Sequence, residues 1–484
     1  MKTVHHPDTH QPITSAADAS TYLFYDLETS GLNPAFDQIL QFAAIRTDAD
    51  FHELKRHEFR VRLRPDIIPS PSALLATDIS VCKALTTGIG EYAAARQIHA
   101  LVNQSGTISI GYNTLSFDDA FLRFTFYRNL LPPYDHQWRN GCRRLDIFPI
   151  ATQYWLQDSS LLNWPTLDGQ PTLKLEHLKQ ANGLADGQAH DALVDVAATV
   201  ELARRLRQDE ALWAECLIDF DKTAFVARLA QLPLFLERPN ALLIHSKFGY
   251  GRQCQVPALY LGQSNHAGQR HLWLRLDQPE LRQATPNNLI KTTWIIRQKP
   301  GEPPFIQPPS PHKLSDERRA TTRANLVWLQ QQPSLLAEIC SHALAPPPAD
   351  SFTLDADAAL YATGFATPEL HGQQQRFHQA SLPQKIVLAT QFSDEVSCEL
   401  AIRLLCRSEG LAYRFPTYQA YERRIQDDAH PLRDFRGRPR LTPGQVLAEL
   451  EAERQQATTP RQQAILADLQ QYIRYQFTRD SWDS

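Results

Sequence analysis

Hydrophobic and polar positions alternate in distinct blocks along the first two hundred residues. Four segments have the apolar, aromatic or alternating pattern of β-strands: residues 21–26, 39–45, 52–63 and 107–111. Three segments have helical spacing: residues 91–102, 118–129 and a stretch that starts near residue 191. This order of strands and helices predicts an α/β domain with a mixed sheet, and we expect it to end near Leu206.

The pattern changes after residue 207. Short β-like runs separated by Gly and Asn turns predict a small barrel or sheet: residues 241–245, 258–261, 271–276 and 292–296. The proline-rich residues 300–311 predict a loop without helix, and residues 345–350 are typical of a linker. From Asp355 onward, Ala, Leu, Gln, Glu and Arg predominate, which predicts an all-α domain.

Composition limits the possible classes of protein. The chain has 484 residues, enough for two or three domains, and 43% of them are hydrophobic. Its formal net charge of −4 is not that of a globally basic nucleic-acid-binding protein, although only the local charge of a groove matters to a phosphate chain.

The cysteines and the N-terminal residues bear on the cellular compartment that we expect for the protein. Seven scattered cysteines without a Cys-x-x-Cys pair argue against structural zinc and against a disulfide framework. Residues 1–20 are polar, as in a loose tail, and lack the apolar core of a signal peptide. No apolar run is long enough to span a membrane, so we expect a cytoplasmic protein.

The first candidate for chemistry is an acidic pair at the end of the first predicted strand. Asp26 and Glu28 are two residues apart, so on a strand their side chains point to the same face. Two carboxylates held together repel, and a divalent cation would remove that repulsion. The alternative for this pair alone is two solvent-facing acids that occur together by chance.

Two further segments carry acidic residues at helix starts. Gly111-Tyr112-Asn113 is followed by Phe117-Asp118-Asp119, where an aspartate could equally be a helix cap. His190 and Asp195 lie in the segment His190-Asp191-Ala192-Leu193-Val194-Asp195. The alternative there is a capping Asp191 beside a surface histidine.

Taken together, the three segments resemble the DEDDh exonucleases of the ribonuclease H-like fold. Other motifs are similar to the bacterial exonuclease I family in particular: Phe24-Tyr25-Asp26-Leu27-Glu28-Thr29, Phe126-Tyr127-Arg128-Asn129, Leu175-Glu176-His177-Leu178 and Ala189-His190-Asp191-Ala192. The resemblance is dense over residues 21–205 and sparser beyond, where Leu360-Tyr361 followed by Gly364-Phe365 still resembles the family.

The resemblance implies three domains and a metal site. The domains would be a ribonuclease H-like DEDDh exonuclease domain over 20–207, an SH3-like β-rich domain over 208–346 and an all-α C-terminal domain over 352–484. The family's catalytic residues fall on Asp26, Glu28, Asp118, His190 and Asp195. The four carboxylates would hold two Mg²⁺ ions, with Mn²⁺ as a possible substitute.

Within this site the resemblance implies separate roles. Asp26, Glu28 and Asp195 would hold one ion, and Asp26 would bridge to a second ion supported by Asp118. His190 would be the general base that activates the attacking water. Asp119 would cap the helix instead of binding metal.

A single strand of DNA needs a cationic track and aromatic platforms for its bases. By resemblance, Arg123, Tyr134 and Trp138 match family positions near the DNA, and Glu28 would also contact substrate. Lys174 stands where a well-known relative in the family carries Arg. Lysine keeps the charge but loses bidentate phosphate recognition. Residues 403–440 form a further basic stretch with interspersed aromatics.

The resemblance therefore implies a magnesium-dependent 3′→5′ exonuclease, an exodeoxyribonuclease that degrades single-stranded DNA to 5′-mononucleotides, processively, in DNA repair and recombination. Its partners would be single-stranded DNA and the single-stranded DNA-binding protein, and we expect a monomer. The alternatives are an RNA exonuclease of the oligoribonuclease type, a non-catalytic single-stranded DNA-binding module and a proofreading module. The length beyond residue 207 argues against a one-domain RNA exonuclease, and the complete set of carboxylates argues against a non-catalytic module.

Overall fold

The computed structural model describes residues 21–185, 191–264, 269–346 and 353–477. The strands in these residues are β1 Tyr22–Thr29, β2 Ile39–Thr47, β3 Glu53–Arg60, β4 Ile108–Gly111, β5 Arg143–Asp146, β6 Thr166–Leu167, β7 Gln170–Pro171, β8 Leu234–Phe235, β9 Arg238–Ile244, β10 Gln255–Gln263, β11 His271–Arg275, β12 Ile295–Gln298 and β13 Phe305–Gln307. The α-helices are α1 Pro71–Thr77, α2 Val81–Thr86, α3 Glu91–Val102, α4 Asp118–Arg128, α5 Ile147–Leu156, α6 Leu175–Asn182, α7 Ala192–Leu206, α8 Glu210–Ile218, α9 Lys222–Gln231, α10 Leu289–Thr292, α11 Asp316–Gln330, α12 Pro333–Leu344, α13 Pro368–Gln379, α14 Leu382–Leu388, α15 Glu395–Glu409, α16 Pro416–Arg424, α17 Pro443–Gln456 and α18 Pro460–Phe477.

These elements divide into two compact units. The larger unit takes in the described residues of Asp18–Arg144, Ala185–Glu201 and Ser351–Ser484. The smaller unit takes in those of Leu145–Leu184 and Leu202–Asp350. None of the described helices combines the length and the apolar character needed to cross a membrane.

The larger unit is built on a five-stranded sheet with the order β3-β2-β1-β4-β5. Strand β1 pairs antiparallel with β2 and parallel with β4, so the sheet is mixed and the predicted α/β domain is confirmed. All nine residues of β2 are buried, as an apolar central strand requires, whereas β3 is polar and mostly exposed at the edge.

The turn after β4 brings helix α4 close to β1. At Gly111, the last residue of β4, an added Cβ would lie 2.8 Å from the carbonyl oxygen of Tyr25 and 2.0 Å from the Thr114 side chain. Only glycine leaves room for this approach. Because β1 and β4 are parallel neighbours, their carboxyl ends meet at the same edge, and α4 begins there with Asp118.

The C-terminal helices share a hydrophobic core with the first part of the chain inside the larger unit. Buried side chains of this core come from both segments, for example Leu63, Phe124, Phe377, Leu400 and Leu466. The predicted all-α character of the C-terminal region is confirmed. Its helices are packed as part of the larger unit.

A buried network of ion pairs joins the same two segments. The Asp66 carboxylate accepts hydrogen bonds from Arg64 at 3.1 Å and from Arg407 at 2.9 Å. Arg407 also binds Asp357 at 2.5 Å, and Arg403 binds Asp357 at 2.9 Å. Burial by itself raises the pKa of Asp66, but Arg407 and Arg64 outweigh burial and hold that pKa well below its usual range.

The smaller unit contains an antiparallel sheet with the order β12-β11-β10-β9-β13, and β8 pairs with β9. The predicted β-rich character of this region is therefore confirmed. Its core includes residues from helices α11 and α12 as well as from strands: Leu259, Leu274, Leu329 and Ile339.

Two features of the smaller unit differ from the sequence prediction. Strand β13 lies inside residues 300–311, which the prolines predict as a loop, because the apolar pair Phe305-Ile306 pairs with β9. Helices α8, α9, α11 and α12 lie before and after the β-like runs, within residues 208–346, where we expect an SH3-like β-rich domain and assign no helix from the sequence. Helix α11 has an N-cap at Ser315, and α12 begins at Pro333. Both are helix-start signals, and they lie outside the β-like runs on which the prediction is based.

We predict that Asp66→Asn lowers the free energy of unfolding of the larger unit by about 3–5 kcal/mol, because it leaves buried arginines without their counter-charge. The measurement is urea unfolding, compared with Arg461→Ala. Arg461 pairs with Asp78 at 2.9 Å, but both side chains are more than half exposed, so this control should cost no more than about 1 kcal/mol.

The pH dependence of the same variant has a definite sign. A carboxyl whose pKa is depressed in the folded state contributes stability above its unfolded pKa, near 4, and that stability is lost as the pH falls. The difference between wild type and Asp66→Asn should therefore shrink below about pH 4. Equal losses in both variants at neutral pH would contradict the role of the network.

Candidate active site

Asp26 and Glu28 lie near the end of β1, in the middle of the sheet. Strand β1 is flanked by β2 and β4, and the two side chains point to the same face because they are two residues apart. Asp26 is partly buried and Glu28 is only 8% exposed. The pairing of β1 with β2 becomes irregular directly after Glu28. These acids are therefore enclosed, which excludes the alternative of two solvent-facing residues.

Asp195 lies in the first turn of α7. Asp191, the residue directly before α7, accepts a hydrogen bond from the N–H of Leu193 at 3.1 Å, as a helix cap does. The Asp195 N–H donates to the Asp191 carbonyl at 3.0 Å. The capping role that the sequence left open for Asp191 is thus observed, and the Asp195 carboxylate belongs to the turn that follows the cap.

The carboxylates of β1 and α7 influence one another electrostatically. Burial, followed by the charges of Asp26, Asp195 and Asp191, raises the pKa of Glu28 to about 9. Burial and then the charge of Asp195 raise the pKa of Asp26 far above its usual range. The structure therefore brings together Asp26, Glu28 and Asp195 as mutually repelling acids, an arrangement typical of functional sites.

Asp118 and Asp119 open helix α4, and both are buried. The side chain of Asp119 does not cap the helix as the sequence suggests. Its carboxylate accepts hydrogen bonds from His136 Nε2 at 2.8 Å and from Arg144 at 2.6 Å. Burial raises the pKa of Asp119, but Arg144, Arg123 and His136 outweigh burial and lower it far below its usual range. Asp119 is thus a paired structural ion beside the candidate ligand Asp118.

Asp118 acts electrostatically on β1 at Tyr25. The pKa of the Tyr25 hydroxyl is raised well above its ordinary value, first by burial and then by the charges of Asp119 and Asp118. Tyr25 directly precedes Asp26 on β1. The Asp118 carboxylate is therefore within electrostatic reach of this part of the strand.

The residues present suit a divalent cation by their chemistry. All the acidic groups offer hard oxygen ligands. Burial, and then the charges of neighbouring acids, raise the pKa values of Asp26 and Glu28, so a bound cation would favour their charged forms. Among the residues that the structure describes, no set of three or more His, Cys, Asp or Glu side chains is already drawn together as a metal cage. The predicted base His190 lies outside the described residues.

Besides Glu28, three of the predicted substrate contacts lie in the larger unit. Arg123 forms an ion pair with Asp119 at 3.3 Å, and its guanidinium lies 5.8 Å from the ring centroid of Tyr361. Tyr134 is partly buried and meets Phe365 edge to face at 5.5 Å between ring centroids. Trp138 is 56% exposed.

The remaining predicted contact, Lys174, is an exposed residue of the smaller unit at the start of α6, and its Nζ lies 3.6 Å from Glu176 Oε1. Sequence reasoning did not assign roles to Phe365, which is 84% exposed, or to Tyr361, which is 41% exposed. Their signal was the stretch Leu360-Tyr361 followed by Gly364-Phe365, which resembles the family.

Comparison with known proteins connects this site to nucleases. Residues 23–203 match the family model described as "Exonuclease". Exodeoxyribonuclease I of Escherichia coli K12 is 40% identical over 190 residues, which cover 39% of this chain and 40% of that protein. The chain thus spans about two fifths of the length of this curated relative.

The similarity in fold extends further than the similarity in sequence. The structure of E. coli exonuclease I in complex with a dA16 oligonucleotide superposes with a TM-score of 0.79 at 25% identity, covering 94% of this chain and 100% of that one. A crystal structure of SSB and exonuclease I in complex with the inhibitor CFAM gives a TM-score of 0.77 at 25% identity and covers 95% of this chain and 100% of that chain.

We predict that Asp26→Asn raises the thermal midpoint of the metal-free protein, because the amide removes one of the repelling charges. A carboxyl whose pKa is raised in the folded state costs stability as the pH rises from about 4 toward its folded pKa. The gain should therefore be larger at about pH 8 than at about pH 5, and at least about 1 kcal/mol, or about 2–4 °C, at the higher pH. Thermal unfolding in a metal chelator measures it.

The matched control is Asp119→Asn, which should lower the midpoint because Asp119 is the partner of Arg144 and His136. Adding Mg²⁺ should raise the midpoint of wild type more than that of Asp26→Asn. A wild-type midpoint that is higher than that of Asp26→Asn without metal at pH 8 would contradict the repulsion.

Proposed function

We propose that this protein removes nucleotides from the 3′ end of single-stranded DNA by hydrolysis. The match of residues 23–203 to the exonuclease family model and the similarity of the fold to that of E. coli exonuclease I support the proposal. The products would be 5′-mononucleotides. The observation that carries the proposal is the set of mutually repelling carboxylates Asp26, Glu28 and Asp195, of which Glu28 is buried and the other two are partly buried, with Asp118 at the start of α4. Such a site lacks positive charge, which a metal-dependent nuclease supplies with its cations.

The carboxylates Asp26, Glu28, Asp118 and Asp195 would hold two Mg²⁺ ions, and Mn²⁺ could replace them because both prefer oxygen ligands. Bound ions would supply an activated water and stabilise the developing charge on the phosphate and the leaving oxygen. The protein's part is to hold these acids on the rigid β1 strand and at the starts of α4 and α7.

His190 is the proposed general base. An unperturbed histidine titrates near neutral pH, so it can accept a proton from water under working conditions. It precedes Asp191, the cap of α7, and is five residues before Asp195 in the sequence.

The proposed substrate contacts follow from charge and exposed rings. Arg123 and Lys174 would bind phosphates, Tyr134 and Trp138 would stack on bases, and Glu28 would contact the terminal nucleotide. Stacking needs unpaired bases, which favours single strands over duplex. The relative with a bound dA16 oligonucleotide supports this choice of substrate.

The remaining parts of the proposal concern organisation and partners. We propose the three domains 20–207, 208–346 and 352–484, a monomer, a cytoplasmic location and a processive role in DNA repair and recombination. Binding to the single-stranded DNA-binding protein is proposed because a related exonuclease I was crystallised with SSB. All seven cysteines lie in described residues and are unpaired, in keeping with a reducing compartment.

We predict that Asp26→Ala and Asp195→Ala reduce hydrolysis to background while binding of single-stranded DNA persists. The reason is that these carboxylates hold cations, whereas contacts to the strand come from other residues. The measurement pairs a nuclease assay in Mg²⁺ with binding in chelator, using Glu451→Ala as the control. Glu451 is an exposed acid of α17, and its removal should leave both readouts unchanged. Turnover near the wild-type rate in Asp26→Ala would refute the proposed function.

A further inference from the structure

A tight hairpin lies on the larger unit between α16 and α17. It spans residues 433–440, with Arg433 and Pro439 bridged in antiparallel fashion. The N–H of Gly437 donates to the carbonyl of Asp434 at 2.9 Å, and Gly437 has a φ of 75°. An aspartate at the first position and glycine at the fourth are the residues that such a turn prefers.

The negative charge of the hairpin is consumed internally. The Asp434 carboxylate is buried and accepts hydrogen bonds from the N–H groups of Arg436 at 2.8 Å and Arg438 at 2.9 Å. The Arg438 side chain donates to the same carboxylate at 2.8 Å. Arg436, at the tip, keeps an exposed guanidinium group. The tip therefore presents positive charge to solvent.

The base of the hairpin is fixed to the core of the unit. Arg440 is buried and donates hydrogen bonds to the Tyr421 hydroxyl at 2.8 Å and to the carbonyl of Asp66. Leu432, on the other arm, is also buried. Because both arms are anchored and Phe435 packs against the core, the exposed Arg436 is carried by a fixed support.

The tip continues a row of aromatic rings and arginines that starts on α4. The Phe435 ring stacks on Phe124 at 5.4 Å and meets Tyr361 edge to face at 4.7 Å between centroids. The Arg436 guanidinium lies 5.1 Å from the Phe435 centroid, as Arg123 lies 5.8 Å from that of Tyr361. Both arginines thus lie beside rings that are themselves only partly covered.

This row begins close to the candidate site. Arg123 and Phe124 follow Asp118 by five and six residues on α4, a rise of about 7.5–9 Å along the helix axis. The order from the site outward is therefore Asp118, Arg123 with Tyr361, then Phe435 with Arg436. Alternating cations and aromatic faces are what a single-stranded nucleic acid binds, through its phosphates and its bases.

We propose that the tip of the 433–440 hairpin is a distal subsite for single-stranded DNA, which holds the strand on the 5′ side of the nucleotide being removed. Arg436 binds a phosphate, and Phe435 keeps the aromatic row in place and offers its uncovered edge to a base. The proposal rests on the proposed function, because it assumes that the strand ends at Asp118.

The test measures binding of oligonucleotides of about 4 and about 16 nucleotides to the full-length chain in chelator, over a range of salt concentrations. Arg436→Ala should weaken binding of the longer oligonucleotide about 3- to 10-fold and reduce its salt slope by about one unit, the effect of one lost phosphate contact. Binding of the shorter oligonucleotide should not change, because it does not reach the tip. The control is Arg424→Ala, an exposed arginine at the end of α16, which should change neither.

A second variant separates the aromatic contact of Phe435 with the strand from the charge of Arg436. Phe435→Leu should weaken binding of the longer oligonucleotide about 10-fold with little change in salt slope, and its thermal midpoint reports any loss of packing on Phe124. The inference is overturned if Arg436→Ala matches Arg424→Ala, or if it weakens both oligonucleotides equally. A wild-type protein that hydrolyses single strands while Arg436→Ala binds normally defeats this inference alone. A wild-type protein that neither binds nor hydrolyses them defeats the proposed function as well.

Discussion

Repulsion between buried carboxylates is the constraint on which the site depends. Asp26 and Glu28 stand on a central strand, and Asp195 adds a third negative charge from α7. Burial removes the water that would otherwise screen these charges, so their mutual repulsion opposes folding. The fold holds them in place through features that lie elsewhere in the same unit. These are the fully buried neighbour β2, the close approach at Gly111 and the ion pairs around Asp66.

The environments of neighbouring acids show how the fold distinguishes structure from chemistry. Asp119 is surrounded by Arg144, Arg123 and His136, and its pKa falls. Glu28 is surrounded by other acids, and its pKa rises. The carboxylate of Asp119 is thus stabilised by neighbouring positive charge, whereas the charges that act on the carboxylate of Glu28 are those of other acids. Glu28 is therefore the carboxylate that a cation would stabilise. Asp119 also ties the first turn of α4 to β5 and to the His136 turn, and this fixes the position of Asp118.

Local patterns predicted what depends on local physics. Periodicity and short motifs predicted strands β1 to β4, helices α3, α4 and α7, and the acidic residues of the site. Strand β13 was not predicted, because prolines surround the short apolar pair Phe305-Ile306, and only its pairing with β9 makes it a strand. The sequence shows 403–440 only as a basic stretch with interspersed aromatics. In the structure the side chains of Arg403 and Arg407 are buried in ion pairs and Arg440 is buried in hydrogen bonds, while Arg436 is exposed. The stretch itself does not distinguish buried from exposed arginines, because the partners of the buried ones, such as Asp355 and Asp357, are distant in the sequence.

The central claim is that this site cuts DNA from a free 3′ end with the help of divalent cations. The most direct measurement is a nuclease assay on matched single-stranded DNA, duplex DNA and RNA, each labelled at either the 5′ or the 3′ end, with and without Mg²⁺. The account predicts that a 3′ label on single-stranded DNA is released at once as a mononucleotide, that a 5′ label persists on progressively shorter strands, and that both effects require Mg²⁺. Faster degradation of RNA than of DNA, release from the 5′ end, or equal hydrolysis in a metal chelator would contradict it.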